Sequence, residues 1–249
     1  MAKPKYLSNA PIVEAIIDFR VKLPSSFDVS RFSSLKEPLK DSYPRLEKKR
    51  LVQFGLQITP ERFQQTLEDK GPSGYFLTSD DGKNVAQFRE DGFTFSRLRP
   101  YTKWETVFPE ARRLWKLYFD EASPELVTRI AVRYINQMNI PLPIDDFAHY
   151  LTAPPTVPTT LPQTVSQFMT RIVIHDEKQD ISANITQALQ KGAKPEYVTI
   201  ILDIDVYKAK ESGSGFEESE MWPTFEQLRE LKNRIFFESI TENSVRLFE

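Results

Sequence analysis

Two stretches of the chain, residues 10–24 and 126–140, alternate between two sets of side chains. In the first stretch, the apolar set Ala15, Ile17, Phe19 and Val21 alternates with Glu14, Ile16, Asp18 and Arg20. In the second, Ile130, Val132 and Tyr134 alternate with Arg129, Ala131 and Arg133. A period of two places alternate residues on opposite faces of a strand. Each stretch is therefore predicted to be a strand with one buried face and one polar face.

Helical periodicity predicts two long amphipathic helices. Each is expected to open near a tryptophan, with a capping box formed by Thr102 and Glu105 before the first helix and by Thr224 and Gln227 in the second. The buried stripe of the first helix is predicted to be Trp104, Phe108, Ala111, Trp115 and Phe119. That of the second is Phe225, Leu228, Leu231, Ile235, Phe236 and Ile240.

The remaining elements are short and are separated by turn signals. Strands are predicted over residues 51–58, 75–78, 85–88, 93–98, 168–175, 181–189 and 197–207, and short helices over residues 27–39 and 144–151. The stretch from Gly71 to Gly74 is predicted to be a turn, and Asp91 with Gly92 a hairpin. Residues 153–162, which hold four prolines, are predicted to form an extended connection.

The same order of elements occurs twice. The first strands are offset by 114 positions, from Ile16 to Ile130, and the tryptophans at the long helices by 118, from Trp104 to Trp222. This predicts an α+β fold with an internally duplicated β-α-β-β-β-α unit, in which residues 1–122 and 123–249 form one compact body. The antiparallel sheets are expected to join into one curved sheet with both long helices on one face, as in TATA-box-binding-like or helix-grip-like folds.

Composition excludes several classes of protein. A content of 40% hydrophobic and 12% aromatic residues supports a buried core, and the absence of cysteine excludes disulfides and thiolate chemistry. Because 33 basic residues face 35 acidic ones, the basic excess of a duplex-binding protein is missing, and another protein is the expected partner ahead of nucleic acid. Residues 1–9 lack the apolar stretch of a signal peptide, so a cytoplasmic protein without membrane contact is predicted. The sequence leaves open whether the protein forms a homo-oligomer.

Asp203 and Asp205 alternate with apolar residues and project from one face of a predicted strand, about 7 Å apart. Such a pair can hold Mg²⁺ for phosphoryl transfer or nuclease chemistry. The alternative is an ion-pair network in which Arg133 and Arg171, on other strands of the same half, neutralise the aspartates without a metal. Outside this hypothesis no cofactor is expected, because the chain lacks glycine-rich phosphate loops and nucleophile elbows.

Two clusters combine cations or amides with aromatic residues and are candidate binding sites. Arg97, Arg99, Tyr101 and Trp104 lie where a predicted strand passes into a helix, and can stack a planar group or bind an anion. Arg133 and Asn136 lie in a packed strand, where Asn136 has the alternative role of holding a bulge. The polar positions Glu14, Asp18 and Arg20 extend the candidate surface over the free face of the sheet.

The opening sequence Asn9-Ala10-Pro11-Ile12-Val13-Glu14-Ala15 resembles the signature of a sporadically distributed, uncharacterised bacterial family of proteins of about this length. Similar stretches follow in the same order at residues 93–98, 133–136 and 203–205, so the resemblance spans nearly the whole chain. It implies a bacterial setting and a patchy occurrence, which is typical of defence or toxin-antitoxin modules. It implies no cofactor and no catalytic residue.

These patterns favour a binding protein over an enzyme. The leading hypothesis is a non-enzymatic protein that recognises a partner, as a component of a bacterial defence or toxin-antitoxin module. Two alternatives stay open at this point. One is a metal-dependent phosphodiesterase or nuclease that uses Asp203 and Asp205, and the other is a small-ligand-binding protein of the helix-grip type.

Overall fold

A computed structural model describes residues 1–3, 5–59, 62–192 and 194–249. It is a mixed α+β structure with one antiparallel sheet of nine strands in the order β2-β3-β4-β5-β1-β6-β9-β8-β7. The strands are β1 (Ile12–Lys22), β2 (Arg45–Thr59), β3 (Arg62–Thr78), β4 (Asn84–Arg89), β5 (Gly92–Leu98), β6 (Leu126–Pro141), β7 (Met169–Asp176), β8 (Ile181–Lys191) and β9 (Tyr197–Ala209). The large antiparallel sheet predicted from the alternating stretches is confirmed.

In these described residues, four α-helices accompany the sheet: α1 (Lys36–Leu39), α2 (Trp104–Ala122), α3 (Glu218–Ser239) and α4 (Glu242–Arg246). Two 3-10 turns, Val29–Leu35 and Phe147–His149, lie where short helices are predicted. The predicted extended connection, residues 153–162, contains no helix or strand. The two long helices, α2 and α3, bury apolar stripes that include Trp115 and Phe225, as the sequence periodicity predicts. Phe119, a predicted member of the α2 stripe, is instead exposed.

The core lies between the sheet and the two long helices and is centred on Phe19 of β1. The Phe19 ring stacks on Trp115 of α2 at 4.0 Å between centroids, and lies 5.1 Å from Phe225 of α3. The helices also contact each other, because Phe108 of α2 lies 5.3 Å from Phe225. Both helices therefore cover the same face of the sheet.

The centre of the sheet depends on a close approach between β5 and β1. Gly92, which opens β5, has a φ of +150°, and a Cβ atom at this position would lie 2.0 Å from the carbonyl oxygen of Phe19. Any other side chain would collide with the β1 backbone. The hairpin turn predicted at Asp91 and Gly92 is thus the point where β5 is fixed against β1.

The predicted turn between Gly71 and Gly74 is wrong. Strand β3 runs through these residues and pairs with β2 on one side, with register shifts on either side of Arg50. At Gly74 the reason for glycine is the approach of β4, since a Cβ atom there would lie 2.7 Å from the carbonyl oxygen of Phe88. Among the described residues, the first half contains five strands and the second half four, so the first half has one strand more than the β-α-β-β-β-α unit.

Both predicted capping boxes are also wrong. Helix α2 begins after Lys103, which forms no side-chain cap, and the Glu105 carboxylate accepts a hydrogen bond from Arg229 at 3.2 Å. Helix α3 begins four residues before Trp222, with a capping box formed by Glu217 and Glu220. An acidic residue at a helix start is stabilised by the helix dipole, which allows glutamate to replace the expected threonine.

Candidate functional site

The face of the sheet opposite the two long helices carries a polar surface at its centre, which we call the open face. Antiparallel pairing aligns the polar residues of β1 with those of its neighbours, because paired residues point to the same side. The open face consists of Glu14, Ile16, Asp18, Arg20, Gln87, Arg89, Thr94, Ser96, Arg129, Arg133, Asp203 and Asp205. Eleven of these twelve side chains, all but Asp203, line a depression of about 450 Å³.

Asp18 is the buried centre of the open face, at 7% exposure. Its carboxylate accepts a hydrogen bond from the Thr94 hydroxyl at 2.6 Å and from Arg20 Nε at 3.1 Å. Arg129 Nη1 and Arg89 Nη2 lie 3.3 Å and 3.5 Å from the same carboxylate. Asp18 thus holds together side chains from β1, β4, β5 and β6.

Asp203 and Asp205, the predicted metal ligands, each face an arginine. Arg133 donates to both oxygens of Asp203 at 2.8 Å and 2.6 Å, and Arg129 Nη2 lies 2.8 Å and 3.0 Å from the two oxygens of Asp205. The sequence predicts Arg133 and Arg171 as the partners of these aspartates. Arg133 takes this role, but Arg171 does not, since it donates to Asn184 Oδ1 at 3.2 Å. The arrangement is the ion-pair network of the alternative interpretation.

Within the described ranges, no three acidic or histidine side chains converge as metal ligands. Asp203 and Asp205 therefore supply the two carboxylates of the metal hypothesis, and no third acidic or histidine side chain of the described residues joins them. Mg²⁺ commonly uses one or two carboxylates together with water and substrate oxygens, so the metal hypothesis stays a prediction.

The cluster Arg97, Arg99, Tyr101 and Trp104 is split by the structure. Arg97 donates to Asn84 Oδ1 at 3.0 Å and Arg99 donates to Gln137 Oε1 at 2.8 Å. Tyr101 and Trp104 point elsewhere, into a pocket under α3. The two arginines thus have neutral partners of their own and do not share a site with the aromatic residues.

Strand β7 ends the sheet and exposes large apolar side chains. In the part of the chain that the structure describes, it pairs only with β8. Met169, Ile172, Val173 and Ile174 are between 39% and 76% exposed, and they lie on both faces of the strand. We call these four side chains and the outer side of the strand the β7 edge. An exposed apolar edge strand is a template for pairing with another chain.

A second depression, of about 320 Å³, lies between the N-terminal segment, the start of α2, β6 and α3, and we call it the Lys232 pocket. Its lining includes Tyr101, Trp104 and Asn136, three of the predicted binding residues. Asn136 also lies at the register shift between β1 and β6, and its amide donates to the carbonyl oxygen of Leu202 at 3.0 Å. The structural role of Asn136, as an alternative to ligand binding, stays a prediction.

Lys232, on α3, is the buried cation of this pocket, at 8% exposure. Its Nζ donates to Asn233 Oδ1 at 2.6 Å and lies 3.6 Å from the centre of the Tyr134 ring. Glu105, which also lines the pocket, pairs with Arg229 at 3.2 Å. Burial, and then the positive charge of Arg229, lowers the pKa of Lys232 to about 7.

Two tyrosines complete the polar lining of the Lys232 pocket. The hydroxyl groups of Tyr101 and Tyr134 are 2.9 Å apart and share a hydrogen bond. Burial raises the pKa of both phenols above the ordinary value, so both stay protonated at neutral pH. Each phenol carries one hydroxyl hydrogen. The hydroxyl that donates to the other has no further hydrogen to donate, whereas the hydroxyl that accepts keeps its own hydrogen free.

Sequence reasoning missed Lys232 and the β7 edge. A signal for Lys232 exists, because it falls next to Leu231 and between Leu228 and Ile235 in the buried stripe of α3. A lysine at a stripe position is a buried charge unless it reaches the surface. For β7, the apolar run Ile172, Val173 and Ile174 shows no alternation, which in a predicted strand indicates burial on both faces. The structure instead leaves both faces exposed.

The chain matches no model of a known protein family, and a search of curated proteins found no match. Among the described residues, no helix is both long and apolar enough to cross a membrane. Functional inference therefore rests on the open face, the β7 edge and the Lys232 pocket themselves.

Proposed function

We propose that this protein is a non-enzymatic binding protein that recognises another protein by adding an extended segment of that partner to the β7 edge. The observation that carries the proposal is an outer edge that no described strand pairs with, combined with four exposed apolar side chains. An eight-residue strand offers several main-chain donors and acceptors to an added strand, and apolar side chains on both faces give it area to bury.

The charge of the β7 edge indicates the chemistry of the partner. Arg171 lies on the open-face side of β7, and its hydrogen-bond partner there, Asn184, is neutral. An acidic side chain on the added strand would pair with Arg171, and its neighbours would cover Val173 and Ile172. The expected partner is thus an apolar extended segment that carries an Asp or Glu.

The strand order supports an internal duplication, which we include in the proposal. From the centre outward the order is β1, β5, β4, β3 on one side and β6, β9, β8, β7 on the other, with β2 added beyond β3. Each half thus begins at the centre and returns beside its first strand, as in the TATA-box-binding-like plan with units 1–122 and 123–249. In this scheme β7 occupies the place of β3, and its outer side lacks the strand that covers β3.

Photo-crosslinking in living host cells tests the proposal. A benzoylphenylalanine at position 172 on β7 is compared with one at position 119, an exposed phenylalanine on α2 away from the edge. The crosslinked peptide is identified by mass spectrometry, synthesised and titrated against the wild-type chain. Val173→Lys and Arg171→Glu serve as the edge variants.

The proposal is supported if the crosslink from position 172 maps to one partner segment with an acidic residue, and if both edge variants lower the affinity for the peptide about tenfold or more. Crosslinks to a second copy of this chain only, equal labelling from position 119, or a peptide that binds the variants unchanged would refute it. The identity of adjacent genes tests the defence or toxin-antitoxin setting separately.

The metal-dependent alternative has its own test. If Asp203 and Asp205 bind Mg²⁺ or Mn²⁺, the ion must displace Arg133 and Arg129, and titration calorimetry of the wild-type chain should give a heat that Asp205→Ala abolishes. No heat with either ion would remove this alternative.

A further inference from the structure

The Lys232 pocket contains an ammonium group that the described protein does not neutralise. The acid in the lining, Glu105, is engaged by Arg229, and the neighbour that accepts from Lys232 Nζ is the neutral Asn233. A buried lysine without a carboxylate is costly, because desolvation is not offset by an opposite charge. The pocket is therefore electrostatically incomplete as it stands.

We propose that the Lys232 pocket binds a small organic anion, a carboxylate attached to an aromatic ring, with the carboxylate on Lys232 Nζ. The inference rests on the pocket alone and is independent of partner binding at the β7 edge. The ammonium supplies a charge-assisted hydrogen bond, which is about twice as strong as a neutral one.

A second donor for the carboxylate comes from the tyrosine pair. One of the two phenols, Tyr101 or Tyr134, uses its hydrogen on the other, and the remaining hydrogen is free to point at a ligand. An ammonium and a phenol match the two oxygens of a carboxylate. Inorganic phosphate has four oxygens and a larger charge, and this pair of donors would leave it underbonded.

The walls of the pocket favour an aromatic ring beyond the carboxylate. Rings line it from four elements: Tyr6, Tyr101, Trp104, Tyr134, Phe236 and Phe237. The volume of about 320 Å³ lies at the lower end of small-molecule sites, which suits one or two fused rings rather than a nucleotide or a lipid.

Titration calorimetry with matched acids and amides tests the assignment. The probes are phenylacetate and indole-3-acetate, their neutral amides, and inorganic phosphate, titrated into the full chain. Both acids should bind at least tenfold more tightly than their amides. Lys232→Met should lower the affinity for the acids by about 10- to 100-fold and leave the affinity for the amides unchanged. The matched control is Lys116→Met, at an exposed lysine on α2 that pairs with Asp120.

Two further measurements keep the test decisive if Lys232→Met does not fold. The double variant Tyr101→Phe with Tyr134→Phe, which removes both hydroxyl groups and therefore the phenol donor, should weaken binding of the acids about three- to tenfold. In the wild-type chain at pH 8, acid binding should take up a proton, because a carboxylate favours the charged form of Lys232. This uptake appears as a dependence of the measured heat on the ionisation heat of the buffer, and it should vanish near pH 6. Binding of the amides as tightly as the acids, tighter binding of phosphate, no binding of either acid, or no proton uptake would each overturn the proposal.

Discussion

Replacing Lys232 with methionine should change the stability of the protein in a way that depends on pH. The variant keeps the length of the side chain and removes the charge that α3 buries. The titratable and charged groups around the ammonium are Arg229 on α3, Tyr134 on β6, Tyr101, Lys103 and Glu105 at the start of α2, and Lys5 and Tyr6 in the N-terminal segment. All of them remain in the variant, so the difference between the two proteins isolates Lys232.

The sign follows from the direction of the shift. The pKa of Lys232 falls from 10.5 to about 7 on folding. Below pH 7 the folded chain holds a buried charge and the full penalty is present. Between pH 7 and about pH 9.5 the unfolded chain carries a proton that the folded chain has lost, so the wild-type free energy of unfolding rises with pH. The slope approaches about 1.4 kcal/mol per pH unit, or about 3 kcal/mol across this interval.

Urea unfolding at several values between pH 7 and pH 9.5, followed by tryptophan fluorescence, measures this difference. Lys232→Met should be the more stable protein near pH 7, and its advantage over the wild type should shrink by about 3 kcal/mol at the upper end. Lys116→Met, at an exposed lysine, should follow the wild-type curve throughout. Parallel curves for the wild type and Lys232→Met would show that Lys232 is charged and solvated in the folded protein, and would refute the burial argument.

Four other substitutions test the packing of the sheet. Asp18→Ala leaves the arginines of the open face without their shared carboxylate and should lower the free energy of unfolding by about 3 to 5 kcal/mol. Arg133→Ala, at a side chain 44% exposed, should lower it by less than about 1 kcal/mol. Equal losses for the two variants in urea unfolding would contradict this ranking. Phe19→Ala removes the ring between α2 and α3 and should cost about 3 to 5 kcal/mol, measured by calorimetric unfolding. Gly92→Ala should lower stability by at least about 2 kcal/mol, because its methyl group meets the Phe19 carbonyl; an unchanged melting temperature would show that β5 can move away.

The elements that could be predicted from the sequence are those whose signal is local. Strands β1 and β9 carry clean alternation, and α2 and α3 carry apolar stripes, so their positions follow from periodicity. The errors arise where a distant residue decides the outcome. Glu105 pairs with Arg229, 124 positions away, and so does not cap its own helix. Gly74 suits a turn by composition, but pairing with β4 keeps it in a strand.

Part of the open face could be predicted from the sequence, though its pairing could not, and the β4 and β5 residues Arg89, Thr94 and Ser96 are absent from the prediction. Alternation states that Asp203, Asp205 and Arg133 point to one side, but the register between strands decides which arginine meets which aspartate. That register places Arg133 opposite Asp205, yet its long side chain reaches diagonally to Asp203. Arg129 lies nearer the start of β6 than Arg133, and its side chain reaches along the strand to bind Asp205. Side-chain reach of this kind is a tertiary property.

The Lys232 pocket and the β7 edge share a physical property that connects them to binding. At each, the described residues leave a group unsatisfied: a buried amine without a carboxylate, and a strand edge without a neighbour. A group that completes either site binds the folded state and not the unfolded one, so it must also stabilise the fold by mass action. At one hundred times its dissociation constant, a ligand adds about 2.7 kcal/mol, which is comparable to the penalty that the buried amine imposes. Thermal unfolding with phenylacetate should therefore show stabilisation that Lys232→Met loses and that Val173→Lys, at the β7 edge, retains. A loss in both variants would mean that the two sites are not independent.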